Sequence, residues 1–188
     1  MKIYASIFTL LWALASNAAA HELQDNRATL VLRDRQHLSL TLFVDYPKVL
    51  HQVLAPQSTA QEFMLVHAAM KPHEFQVQLL AAQRKLQDST SLVMGNGKKS
   101  AFAPWVWPDA TSVQKLLQQR AMQAVVAPND HAHMVPMQIR AEAKSSNASD
   151  FRSVTLQLPA ALQQVLVVSY QPKQVWLKPN AAPPVISF

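Results

Sequence analysis

Between residues 27 and 45 the chain reads RATLVLRDRQHLSLTLFVD, and this stretch decides the fold. Leu38, Leu40, Leu42 and Val44 alternate with His37, Ser39 and Thr41. Successive side chains on a strand point to opposite faces, so a period of two gives one apolar face and one polar face. Ala28, Leu30 and Leu32 repeat the alternation upstream, and Asp34-Arg35-Gln36 separates the two runs. The stretch therefore predicts a β-hairpin from Arg27 to Asp45.

Downstream the spacing changes to that of helices. Pro47 presets a helix start, Val49, Leu50, Val53 and Leu54 share one face, and Pro56 stops the run. His51 falls opposite that stripe, which predicts an exposed ring. Ser58 and Thr59, with Gln61 and Glu62 three residues on, form two overlapping capping boxes ahead of a helix through Phe63, Met64, Val66, His67 and Met70. His67 lies near the apolar face and is expected as a partly buried core residue. Pro72 opens a further helix in which Phe75, Leu79, Ala82 and Leu86 recur at steps of three and four. Gly95-Asn96-Gly97 then marks a hairpin turn between Leu92-Val93-Met94 and the run from Ser100 to Trp107. Pro104 and Pro108 confine that second arm to a sheet edge or a short run. Asp109 caps a helix that ends before Pro128, and strands return with Ile139, Ala141 and Ala143, then with Val154, Leu156 and Leu158. Val165 to Tyr170 is nearly continuous in apolar residues, which predicts a central strand covered on both faces. Val175 to Leu177 is expected to be a short last strand. Strands, then helices, then a hairpin, a helix and more strands is not a βαβ alternation. The expected class is α+β: an antiparallel sheet or sandwich with about four helices grouped on one side.

The chain has 188 residues, no cysteine and a formal net charge of +6. The length suits one domain. The absence of cysteine excludes disulfides, thiolate zinc sites and a cysteine nucleophile. Gly95 and Gly97, the two glycines of the sequence, leave no room for a Walker loop or a dinucleotide fingerprint. Lys2, the short apolar run Ile3 to Ala15 and the small residues ending Ala18-Ala19-Ala20 describe a secretory signal peptide. The expected organisation is a leader over 1–20, a single domain over 21–178 and a flexible Pro- and Ala-rich tail over 179–188. No later segment has the length of a membrane helix, so no transmembrane segment is expected in the mature chain. Export without disulfides fits a bacterial periplasm, where packing alone must hold the fold.

Seven histidines carry the one pattern with chemical content. Cleavage after Ala20 makes His21 the first residue, and an amino-terminal histidine offers an α-amine and an imidazole to one metal ion. Asp130-His131-Ala132-His133-Met134 places His131 and His133 on one face of an extended segment, with Met137 close behind. Imidazole and thioether suit copper, and imidazole suits nickel. Against a site formed by His21, His131, His133 and Met134 stands the simpler reading of solvated loop histidines between Pro128 and Pro136. Trp105 and Trp107 share one side of a proline-flanked strand; they form either a partner surface or a plug between sheet and helix. No serine sits in a nucleophile elbow and the carboxylates show no paired arrangement, so no enzyme and no bound cofactor are expected. The basic residues are dispersed, and nucleic acid is not an expected partner.

The mature start, His21-Glu22-Leu23-Gln24 running into Asn26-Arg27-Ala28-Thr29-Leu30, is similar to that of exported bacterial proteins of unknown function. It also resembles the extracytoplasmic N-terminal segment of HupE/UreJ-like membrane proteins, which begin with His-Glu-Leu and enter a strand. The resemblance implies an association with nickel handling. No multi-span membrane part accompanies it in this sequence, so the implied role is that of an accessory to a membrane protein.

Overall fold

A computed structural model describes residues 26–126 and 135–172. The leader 1–20, the strand expected at Val175 to Leu177 and the tail 179–188 lie outside the described residues. The predicted hairpin forms from β1, Asn26–Arg33, and β2, His37–Val44. Their antiparallel register runs from Arg27 opposite Phe43 to Arg33 opposite His37. Asp34 and Arg35 turn the chain with φ of 50° and 58°, and Gln36 N donates to Arg33 O at 3.2 Å. β6, Met137–Lys144, pairs antiparallel with the far side of β2, and β5, Trp105–Val106, pairs antiparallel with β6. β8, Val165–Tyr170, pairs with the free side of β1, and this pairing is parallel. The five-stranded order is β5-β6-β2-β1-β8.

The alternation read from the sequence becomes the inner face of this sheet. Ala28 and Leu30, then Leu38, Leu40, Leu42 and Val44, then Ile139, Ala141 and Ala143 are all buried, three strands deep. Four helices cover that face: α1, Tyr46–Leu54; α2, Ala60–Ala69; α3, Pro72–Asp88; and α4, Ala110–Val126. Three begin on a side-chain cap, and the other on a proline whose missing N–H is one of the groups a helix start leaves unpaired. Asp45 caps α1 with Pro47 in its first turn, Thr59 and Glu62 complete a reciprocal capping box on α2, Pro72 opens α3, and Asp109 Oδ1 accepts from Ser112 N at 2.8 Å ahead of α4. Val49, Leu50, Phe63, Phe75, Leu79, Val113 and Leu117 bring the four helices into one core with the sheet. Arg120 of α4 donates to Asp45 at 2.6 Å, tying the last helix to the first cap. Asn26 fastens the same corner: its Oδ1 accepts from Asp45 N at 2.9 Å and its Nδ2 donates to Leu162 O at 2.7 Å.

A second, three-stranded sheet of order β4-β3-β7 joins β3, Ser91–Met94, β4, Lys99–Ser100, and β7, Val154–Gln157. Gly97 sits at φ 81° in the tight turn between β3 and β4, with its N–H on Met94 O at 2.8 Å. The arm from Ser100 to Trp107 divides between the sheets. Residues 99–100 pair with β3, and residues 105–106 cross to β6 after a cis Ala103–Pro104 peptide. The fold is α+β, and among the described residues its pairings are antiparallel apart from β1 with β8.

One expectation is corrected. Val165 to Tyr170 is not a covered central strand but the outer strand of the large sheet, and it is exposed along most of its length. The physical reason is the placing of the helices. All four described helices pack on the inner face, so among the described residues no layer remains to cover a strand on both sides.

Candidate functional site

The register fixes what β8 presents. Val165, Val167 and Ser169 lie beside Asn26, Ala28 and Leu30 on the inner side; Leu166, Val168 and Tyr170 lie beside Arg27, Thr29 and Val31 on the outer side. Leu166, Val167, Val168 and Tyr170 are 43, 48, 42 and 53% exposed, so apolar surface faces outward from both sides of one strand. The strand contains no charge and no proline between residues 165 and 170. An outer strand also carries a row of backbone N–H and C=O groups with no neighbour, which charges, prolines or bulges usually guard. Among the described residues nothing pairs with that side of β8.

Beneath the inner side of β8 runs a groove. Its first part, about 510 Å³, is lined by Leu30, Val165 and Val167 on one wall and by Val154, Leu156 and Leu158 on the other. The second wall belongs to β7, the outer strand of the small sheet. Two sheet edges thus face one apolar channel. Further along, in step with the i, i+2 series that runs 165, 167, 169, 171, the lining turns polar. A cleft of about 620 Å³ is bordered there by Arg35, Arg152, Asn147, Ser149 and Gln171. Arg35 reaches it from the left-handed turn of the β1–β2 hairpin, a conformation that disfavours any residue with a Cβ. Among the described residues no acidic side chain lines either part. Asp150 is nearby but buried, with its carboxylate accepting from Asn96 Nδ2 at 2.7 Å and from Ser145 Oγ at 2.5 Å.

Trp105 and Trp107, singled out from the sequence, do not line the groove. His21, His131, His133 and Met134 fall outside the described residues, and among the described residues no three His, Asp or Glu side chains gather as a metal site. Trp105 and Trp107 are half-buried and stack on each other with centroids 5.2 Å apart. Trp105 also meets Phe102 edge-on at 6.0 Å, and Trp107 approaches Tyr46 at 6.5 Å. Both tryptophans pack against the core. Tyr46 is fully buried, and burial pushes its phenol well above the usual range. Neither Tyr46 Oη nor Trp107 Nε1 has a hydrogen-bond partner among the described residues.

His67 is a buried core residue, as its position predicts. Its Nδ1 lies 2.8 Å from Phe63 O and its Nε2 3.1 Å from the Gln78 side-chain amide, so both ring nitrogens are engaged. A ring protonated on Nδ1 donates to the carbonyl and accepts from the amide once that amide is turned to present its NH₂. His51 is half-buried rather than exposed. Its Nε2 donates to Ser58 O at 2.8 Å and its ring lies 5.3 Å from Phe63, because the α1–α2 connection folds back over it.

Sequence reasoning missed the groove because its walls are outer strands of two different sheets, and no local pattern records how the two sheets are placed. The available signal was the combination of an uncharged six-residue strand with helices confined to the middle of the chain. No helix among the described residues is long and apolar enough to cross a membrane. Comparison with protein-family models, with curated proteins and with solved structures finds no match to this chain.

Proposed function

We propose that the chain is an exported, non-enzymatic accessory protein that binds its partner by strand addition along β8. The observation that carries this reading is an uncharged, two-sided apolar strand whose outer edge is unpaired among the described residues, with a groove beneath it. In this mode main-chain hydrogen bonds supply affinity and the alternate side chains of the added strand enter the groove. The magnitudes favour using both. Each net hydrogen bond contributes about 1 kcal/mol, while association costs about 4–15 kcal/mol, so a short ladder alone is marginal. Apolar burial at about 25 cal/mol per Å² in the groove provides the rest. Export rests on the leader at 1–20, and the resemblance of the mature start to HupE/UreJ-like proteins makes a membrane protein the partner class.

The test is photo-crosslinking from position 168 in cells exporting the chain with its own leader, against position 76 on the exposed side of α3. The expected result is an adduct with one integral membrane protein from position 168 alone, on chains whose intact mass begins at His21. Equal adducts from both positions, an adduct of the chain with itself, or a mass retaining residues 1–20 would contradict the reading.

A further inference from the structure

We infer that the groove selects an extended apolar peptide bearing a carboxylate, with the acid seated against Arg35 and Arg152. The inference rests on the strand-addition reading above and names the chemistry of the partner segment. The argument is charge complementarity along one line. The part of the groove under Val165 and Val167 is walled by leucine and valine and suits apolar side chains. The next cleft along the strand, past Ser169 at Gln171, is lined by Arg35 and Arg152 with amide and hydroxyl neighbours and no acid among the described residues. Asp34 adjoins Arg35 in sequence but does not border the cleft, and the Asp150 carboxylate is held by Asn96 and Ser145. Arginine forks match the planar geometry of a carboxylate and give bonds roughly twice as strong as neutral ones. The adjoining apolar channel and the strand edge, unpaired among the described residues, fit a peptide better than a small inorganic anion. The strained turn is the second observation. Arg35 and Asp34 both hold positive φ without a glycine, and this turn places Arg35 in the lining of the polar cleft.

The experiment measures binding of three labelled peptides of alternating valine and threonine to the full exported chain. One is neutral and amidated, one is amidated with an aspartate at one end, and one is neutral with a free C-terminal carboxylate. At least one acidic peptide is expected to bind about tenfold or more tightly than the neutral amide. Tighter binding of the aspartate peptide assigns a side-chain acid; tighter binding of the free acid assigns a chain terminus. The double substitution Arg35→Gln, Arg152→Gln should abolish the preference, bringing the acidic peptides to the affinity of the neutral one. Val167→Lys, on an exposed side chain, should abolish binding of all three while preserving the circular dichroism spectrum. Equal binding of the three peptides, lost on Val167→Lys, would leave strand addition standing and overturn this inference. No binding of any peptide would overturn both. Binding that appears only in a Val175→Lys, Leu177→Lys chain would make residues 173–188 the occupant and overturn both as well.

Discussion

Gly97 and Arg35 solve the same backbone problem with opposite chemistry. Gly97 holds φ 81° without a Cβ, and nothing lies within 4 Å of where a Cβ would stand. Substitution there meets conformational strain alone, so Gly97→Ala should destabilise by about 1 kcal/mol, read as a lower denaturant midpoint at unchanged slope. No shift of the midpoint would contradict the turn geometry. Gly95 is constrained differently: a Cβ there would stand 2.5 Å from Ser153 Oγ, where β3 passes the start of β7. The Asn96-Gly97 turn was legible in the sequence because asparagine and glycine are the residues that tolerate it. The Asp34-Arg35 turn was legible only as a break between two alternating runs. That Arg35 takes a left-handed conformation could not be read, since arginine carries no preference for it.

At the scale of elements, the helices were legible because their starts are chemical. The Thr59–Glu62 box and the Asp109 cap appear in the structure as the sequence placed them. Both carboxylates are held below their ordinary range, Glu62 chiefly by the Thr59 N–H and then the Thr59 hydroxyl, Asp109 chiefly by Ser112. A carboxylate depressed in the folded state adds stability that is present above its unfolded pKa and lost as pH falls through the folded value. The thermal midpoint should therefore drop on acidification from about pH 6 to about pH 3, and drop less in Glu62→Ala, Asp109→Ala than in the parent chain. Parallel profiles would show that these caps do not respond to acid. β8 was not legible in the same way. A run such as Val165 to Tyr170 reads alike whether it is covered on two faces or carries exposed apolar groups for a partner, because local pattern records hydrophobicity and not its neighbours.

For the whole molecule, the hairpin 27–45 specified the inner face and the four helices closed it, so the α+β class followed from the pattern. The open side did not follow, because it arises from where two sheets end relative to each other. β7 and β8 are the outer strands of different sheets, and the channel between them is a property of the assembled layers. The most direct test of this account is residue-resolved hydrogen exchange on the free protein. Parallel pairing with β1 protects alternate amides of β8, and the intervening amides point to the open edge. Those intervening amides between Val165 and Tyr170 should exchange as fast as loop amides while β2, paired on both sides, is protected close to global stability. Protection of every β8 amide as deep as that of β2 would mean the edge is already occupied, and would contradict the account.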